Sequence, residues 1–147
     1  MNVVEPCILV PIDTSDLSEQ ALPVALRLSE ALDLPIQLFT VVDGVVANAV
    51  TEYADAHGID VYMSVDAYFE RLLGRLRKDG VEASFHYEPG VHPADGILDF
   101  IDRHDIALVV MASHGYSGWT RWLLGSIAEK VVRSSSVPVT VVPVRAE

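Results

Sequence analysis

The stretch CILVPIDTSD, residues 7–16, decides the fold. Its apolar run from Cys7 to Ile12 is short and continuous, which is typical of a strand covered on both faces of a sheet. Polar residues of the kinds that cap helices follow at once, and apolar residues then recur at helical spacing up to Asp33. We therefore predict a central strand and a first helix, with a kink where Pro23 removes a backbone donor from the helix interior.

The same alternation continues along the chain. Residues 36–42 and 106–112 are solid apolar runs that predict buried strands, and the run VPVTVVPV from Val137 to Val144 predicts the last strand. Residues 81–88 alternate between apolar and polar side chains, so we expect a peripheral strand there. Strands that alternate with helices imply a parallel sheet with helices on both of its faces.

Three further helices are predicted between these strands. One runs from Asp60 to about Gly80, one opens at Pro93, and one covers residues 127–133. Residues 44–60 have no clear period, and we interpret them as a long connection with room for a helical turn.

Length and charge exclude several classes of protein. The 147 residues fit a single domain, 1–147. The net charge is −11, and residues 1–105 carry 6 Lys/Arg against 19 Asp/Glu, so most of the surface should repel nucleic acid. No apolar run approaches the roughly 20 residues of a membrane span, and the start does not resemble a signal peptide. We therefore expect a cytoplasmic protein, in which the single cysteine, Cys7, is a buried thiol.

The residues best suited to bind a ligand lie in the segment ASHGYSGWTRWLLGS, residues 112–126. Its glycines, Gly115, Gly118 and Gly125, let backbone amides approach an anion closely. The helix that follows adds unsatisfied N–H groups and about half a positive charge at its start. Neither Gly-x-x-x-x-Gly-Lys-Ser/Thr nor Gly-x-Gly-x-x-Gly fits the segment, so spacing alone leaves phosphate binding open.

This segment resembles the ATP-binding motif of universal stress proteins, which is Gly-x-x-Gly, nine residues and then Gly-Ser/Thr after the fourth strand. The matching positions are Ala112, Gly115, Gly125 and Ser126, with alanine in place of the first glycine. The added methyl group matters only if the backbone at Ala112 needs positive φ or very close ligand approach. The resemblance also covers ILVPIDTSD at residues 8–16, GVHPADGILDF at 90–100 and LLGSIAEKVVRSSSVPVTVVP at 123–143.

The resemblance implies a doubly wound, Rossmann-like α/β fold with a five-stranded parallel sheet in the order 3-2-1-4-5. It also implies that ATP binds at the carboxyl ends of the central strands, with any Mg²⁺ held through the triphosphate. The residues that would frame adenine and ribose are Pro11, Ile12, Asp13 and Val41. Gly115, Gly125, Ser126 and Ile127 would face the phosphates, and Met111, Ala112 and His114 would complete the nucleotide site.

Several of these residues also have a purely structural interpretation. Asp13 is a good residue to cap the first helix, and Ser126 with Glu129 forms a capping-box pattern. His114 fits a solvated loop as well as a phosphate contact. Arg121 could offset phosphate charge or serve the surface, and the two tryptophans beside it, Trp119 and Trp122, are expected to pack.

We do not expect an enzyme. Ser113, His114 and Asp13 are the residue types of a catalytic triad, but the sequence has no nucleophile elbow. No His/Cys/Asp/Glu cluster has metal-ligand spacing, so any divalent ion should arrive bound mainly to the triphosphate. Hydrolysis of ATP, where it occurs, should be slow and incidental.

The last strand predicts a partner. An apolar run at a sheet edge would expose unpaired backbone groups, and the resemblance implies an isologous homodimer through residues 137–144. The alternative is a short strand that Pro138 and Pro143 blunt and the last helix shields. The function favoured is a nucleotide-dependent regulator of an enzyme or a transporter. The alternatives are an ATP-independent interaction module and, on fold analogy alone, a flavin-binding electron carrier.

Overall fold

Five parallel strands form one sheet in the order β3-β2-β1-β4-β5, in a computed structural model that describes residues 3–116 and 123–145. The strands are β1 (Cys7–Pro11), β2 (Ile36–Val42), β3 (Ala83–Pro89), β4 (Ile106–Ala112) and β5 (Val139–Val142). The helices of the described part are α1 (Asp16–Glu19), α2 (Leu22–Leu32), α3 (Gly44–His57), α4 (Val61–Lys78), α5 (Pro93–Arg103) and α6 (Ser126–Ser134). The doubly wound fold, its strand order and the peripheral position of β3 are confirmed.

Two apolar layers cover the sheet, one on each face. Ile8 and Val10 of β1 point into the first layer, which includes Phe69 of α4. Leu9 points into the second, with Phe100 of α5. Because β1 is buried on both faces, its sequence is continuously apolar, as the sequence predicts.

Cys7 is buried in the second layer, as expected. Burial, with smaller effects from the carboxylates of Glu5 and Asp105, raises the pKa of its thiol to about 12. The thiol therefore stays protonated and inert at neutral pH.

The kink predicted at Pro23 is wrong. The chain forms two helices here, and Pro23 lies in the first turn of α2. A proline costs little at that position, because the backbone N–H that it lacks would have no partner within the helix.

The long connection predicted for residues 44–60 is also wrong, because most of it is the helix α3. Asp43 caps the helix by accepting a hydrogen bond from Val46 N at 3.0 Å. Gly58 ends it with φ +62°. Only small or medium residues, Val46, Val50 and Ala54, face the core, which explains the weak pattern.

The last strand is shorter than predicted, because pairing with β4 is limited to Val139–Val142. Pro138 and Pro143 flank it, and proline cannot donate to a strand ladder. None of the helices in the described part of the chain has the length and apolarity needed to cross a membrane.

A buried polar pair joins β2 to β3. Gln37 is only 1% exposed, and its Oε1 accepts a hydrogen bond from Ser84 Oγ at 2.6 Å. Its Nε2 donates to the carbonyl of Leu38 at 3.0 Å. The pair satisfies an amide that otherwise lies among apolar side chains.

We predict that Ser84→Ala destabilises the fold by about 1–3 kcal/mol, since it leaves Gln37 Oε1 buried without a donor. The double variant Gln37→Leu/Ser84→Ala should lose less stability than the single one, because both polar groups are then gone. Urea unfolding followed by circular dichroism measures both. A single variant as stable as the parent would contradict this account.

Candidate functional site

A cleft opens at the carboxyl ends of β1, β2 and β4, on either side of the central strand where the strand order reverses. Helices α3, α5 and α6 supply one part of its lining, namely Val45, Val46, Pro93, Ile97, Ile127 and Ala128. Helix α1 contributes Ser18. Strand ends and adjoining residues supply the other part, namely Pro11, Ile12, Asp13, Phe39, Thr40, Val41, Asp43, Met111, Ala112, Ser113, His114, Gly115, Tyr116 and Gly125.

The cleft brings together every residue that the resemblance implied except Ser126. Ser126 is the exposed first residue of α6 and is not part of the lining. The capping box predicted for it is absent, because Gly125 is the N-cap of α6 and makes no side-chain cap bond. That these residues bind a nucleotide stays a prediction.

The carboxylate of Asp13 joins two loops. Its Oδ1 accepts hydrogen bonds from Ser15 N at 3.0 Å and from Ser15 Oγ at 2.5 Å. Its Oδ2 accepts from Tyr116 N at 2.9 Å, in the loop after β4. The N-cap residue of α1 is Ser15, whose Oγ accepts a hydrogen bond from Ser18 N at 3.1 Å. The capping role considered for Asp13 therefore belongs to Ser15.

Thr14 has a strained backbone beside this junction. Its φ is +71°, which is rare for a β-branched residue. The Thr14 hydroxyl lies 3.1 Å from the hydroxyl of Tyr116 and forms a second contact between the same two loops. Backbone strain of this kind costs on the order of 1–3 kcal/mol and is concentrated at functional sites.

Ser113 and His114 are buried rather than solvated. His114 Nδ1 lies 2.9 Å from Ser113 Oγ, and that oxygen also accepts a hydrogen bond from Val144 N at 3.2 Å. The carboxylate of Asp13 is bonded instead to Ser15 and Tyr116. These contacts do not form a catalytic triad.

Contacts within the protein leave no room for a side chain at two glycines of the motif, Gly115 and Gly125. A Cβ on Gly115 would overlap the carboxylate of Asp13, and one on Gly125 would lie 2.8 Å from the carbonyl oxygen of Ser113. Ala112, in contrast, is the last residue of β4, paired with Val142, and is not among the positive-φ residues of the described part. The alanine that replaces the first motif glycine is therefore compatible with the backbone.

The Val41 side chain packs into space left by two glycines, Gly90 and Gly96, which the sequence analysis did not single out. A Cβ on Gly90 would lie 2.8 Å from Val41 Cγ1, and one on Gly96 would lie 2.5 Å from Cγ2. The absence of side chains at both positions lets α5 and the turn before it pack against β2. Val41 thereby forms a fixed wall of the cleft.

Sequence reasoning missed Asp43, Val45 and Val46. All three lie at the junction of β2 and α3, and α3 was interpreted as a connection. An acidic residue directly after the second strand was the available signal, since this is the ribose-binding position of dinucleotide-binding folds.

Residues 117–122 of the candidate ligand-binding segment, which include Gly118, Trp119, Arg121 and Trp122, lie outside the described residues. Within residues 3–116 and 123–145, no group of three or more His, Cys, Asp or Glu side chains is placed to hold a metal ion.

Comparison with known proteins identifies relatives. The model of the family described as the universal stress protein family matches residues 7–143. Universal stress protein MJ0531 of Methanocaldococcus jannaschii is 30% identical over 144 residues, covering 92% of this chain and 80% of that protein. Universal stress protein YxiE of Bacillus subtilis is 30% identical over 143 residues, covering 91% and 96%.

Solved structures share the fold. Hypothetical protein MJ0577 superposes with a TM-score of 0.78 at 23% identity, covering 99% of this chain and 100% of that one. A universal stress protein in complex with cAMP has a TM-score of 0.69 at 21% identity, with 95% and 97% covered. The universal stress protein of Archaeoglobus fulgidus in complex with dAMP has a TM-score of 0.67 at 21% identity, with 97% and 100% covered.

We predict that Gly125→Ala destabilises the nucleotide-free protein by about 1–3 kcal/mol, because the new methyl group crowds the Ser113 carbonyl. Gly74→Ala is the matched control. Gly74 lies inside α4 with open space around it, so this substitution should stabilise by about 0.5–1 kcal/mol. Urea unfolding compares the two, and a Gly125→Ala protein as stable as the parent would rule out the steric explanation.

Proposed function

The chain belongs to the universal stress protein family, and from that membership and the geometry of its cleft we propose that it binds an adenine nucleotide and acts as a nucleotide-dependent regulator. We also propose that residues 1–147 form one domain of this family, since the family model covers 7–143. The nucleotide state would be read by a protein partner, an enzyme or a transporter.

One observation carries the proposal: an apolar cleft lies beside the start of a helix whose N-cap residue is a glycine. Ile12, Val41 and Met111 offer apolar surface for a flat base. Gly125 and Ile127 place the first turn of α6 in the same lining, and the N-cap residue, Gly125, makes no side-chain hydrogen bond to that turn. Unsatisfied amides at a helix start attract phosphate.

Relatives of the same fold support the choice of nucleotide. The structures with cAMP and dAMP hold adenine nucleotides in proteins whose folds match this one. ATP, with Mg²⁺ carried by its triphosphate, is the member of this class that the sequence motif implies. Binding without turnover agrees with the contacts of Asp13, which engage Ser15 and Tyr116 rather than His114.

Native mass spectrometry of gently purified protein tests the ligand class, since a bound adenine nucleotide and a bound flavin differ in mass. A variant then locates the site. Val45 lines the cleft and is 53% exposed, so Val45→Glu should fold normally. By removing apolar contact and adding a negative charge, it should weaken AMP binding about tenfold in calorimetry.

Met63→Glu is the matched control for Val45→Glu. Met63 is 51% exposed on α4 and is not part of the cleft lining, so the same added charge should leave AMP affinity unchanged. Equal effects of the two variants, or none from Val45→Glu, would place the nucleotide elsewhere.

We further propose that the chain forms a homodimer through the edge strand in residues 137–144. The sheet order ends at β5, so one side of this strand has no neighbour within the described residues. Pro138 O accepts a hydrogen bond from Val109 N of β4, and Val142 O accepts one from Ser113 N just after β4, at 2.9 Å each. Because backbone groups alternate along a strand, those of Val139 and Val141 point to the free edge, where a second copy can pair with them.

We predict that Val141→Pro gives a folded monomer. The substitution removes an N–H that points away from β4, so it spares the ladder inside the sheet while blocking pairing at the edge. Val141→Thr keeps the donor and should remain dimeric. Light scattering after size exclusion measures the mass, and a dimeric Val141→Pro protein would disprove pairing through this strand.

A further inference from the structure

A second cavity lies beside the cleft, and the loop after β1 borders both, since Asp13 lines the cleft and Thr14 lines the cavity. Helices α1, α3 and α4 supply most of the cavity lining, and Thr14 and Tyr116 complete it. The cavity volume is about 360 Å³, which falls in the range of sites that bind small molecules. The cavity therefore has room for a ligand of its own.

Aromatic and small apolar side chains form one part of this lining. Three tyrosine rings contribute, together with small apolar residues, namely Tyr53, Tyr68, Tyr116, Ala49, Val50 and Ala67. Tyrosine rings offer a large apolar contact area with a polar tip, and such surfaces bind apolar or aromatic groups. We therefore expect the ligand to carry an apolar or aromatic group.

Charged side chains form the other part of the lining, and one of them, Glu19, is already compensated. Glu19 Oε1 accepts a hydrogen bond from Arg75 Nη1 at 3.0 Å, and Oε2 accepts one from the Tyr68 hydroxyl at 2.7 Å. Burial and this hydrogen bond raise the pKa of Tyr68, so its phenol stays neutral. The ion pair with Arg75 leaves little of the Glu19 charge for a ligand.

Two opposite charges remain in the lining, the carboxylate of Asp16 and the guanidinium of Arg71. Neither residue belongs to an ion pair in the part of the chain that the structure describes. The guanidinium carbon of Arg71 lies 5.4 Å from the centre of the Tyr68 ring, over that aromatic wall. The cavity thus presents one negative and one positive group that do not pair with each other.

Helix starts change this balance little. The lining residues of α3 begin at Ala49, more than one turn into the helix, and those of α4 begin at Ser64. The carboxylate of Asp60 caps the start of α4 by accepting a hydrogen bond from Met63 N at 2.8 Å. Helix α1 has only 4 residues. Because the charge of a helix start acts within its first turn, the charges around the cavity come close to cancelling.

We propose that this cavity binds a free amino acid with an aromatic or large apolar side chain, whose ammonium group meets Asp16 and whose carboxylate meets Arg71. A zwitterion supplies a counter-charge to both residues, and a guanidinium group matches the shape of a carboxylate. A purely anionic or cationic ligand would meet a like charge at one of the two positions. A neutral ligand such as a sugar would leave both charges without a partner.

Tyr116 connects this cavity to the cleft, because it lines both. Its backbone N–H donates to Asp13 Oδ2 at 2.9 Å, and its hydroxyl lies 3.1 Å from the Thr14 hydroxyl. An amino acid that packs against Tyr116 holds the loop that also borders the cleft. This consequence rests on the proposed nucleotide site: L-phenylalanine should tighten AMP binding about fivefold, and AMP should tighten L-phenylalanine binding by the same factor.

Titration of the full chain with L-phenylalanine, without nucleotide, tests the site by two-dimensional NMR of the backbone amides at about pH 6, where the ammonium group is charged. We expect the largest shifts at Thr14, Ser64 and Tyr116. Two analogues probe the charges, since L-phenylalaninamide lacks the carboxylate and N-acetyl-L-phenylalanine lacks the ammonium group. Each should bind about tenfold more weakly than L-phenylalanine.

Substitutions identify the two partners. Arg71→Gln and Asp16→Asn should each weaken L-phenylalanine binding about tenfold. In Arg71→Gln the acid and its amide should bind to within about twofold of each other, because the group that distinguishes them is gone. Lys78→Gln and Asp55→Asn are the matched controls, since both residues are exposed, on α4 and α3, and neither lines the cavity. These controls should leave the affinity unchanged.

The outcomes are separable. Shifts confined to the cleft, or none up to about 10 mM L-phenylalanine, would show that the cavity is not an amino acid site. Equal binding of L-phenylalanine and both analogues would reject recognition of a zwitterion. An effect of Arg71→Gln no larger than that of Lys78→Gln would remove Arg71 from the site.

The coupling has its own readout. If L-phenylalanine binds but AMP affinity is unchanged or weaker, the coupling through Tyr116 is wrong and the amino acid site stands. If AMP does not bind at all, the proposed nucleotide site is wrong, and the titration without nucleotide still decides the amino acid site.

Discussion

The carboxylate of Asp13 is the contact on which the cleft depends. It ties the loop after β1 to the loop after β4 through Ser15 and Tyr116. Gly115 is a glycine because this carboxylate occupies the space that its side chain would need. The strained backbone of Thr14 lies beside the same junction, so the adjoining contacts hold a conformation that the isolated loop would avoid.

The sheet topology places this junction at the cleft. In a parallel sheet the carboxyl ends of all strands lie at the same end of the sheet, and the reversal of strand order around β1 leaves a crevice there. The two apolar layers make the strands rigid, so the cleft walls are fixed in position. The cleft thus combines the apolar side chains of Ile12, Val41 and Met111 with the first turn of α6 in one lining.

Fold prediction succeeded where burial leaves a strong pattern. A strand covered on both faces must be apolar throughout, and the fully buried β1 and β2 have that property. It failed for α3, whose buried face consists of Val46, Val50 and Ala54. Small residues on a narrow face give a weak helical period, and the missed helix hid Val45 as a cleft residue.

The sequence by itself determined the strands, most helices and the glycines of the motif, because the local pattern of apolar and turn-forming residues reflects burial and turn propensity. Only the tertiary structure decided what those residues touch. Asp13 and Tyr116 are 103 positions apart and meet because β1 and β4 are neighbours in the sheet. Whether Asp13 caps a helix or joins two loops depends on which donors that pairing brings near, and local pattern carries no information on that choice.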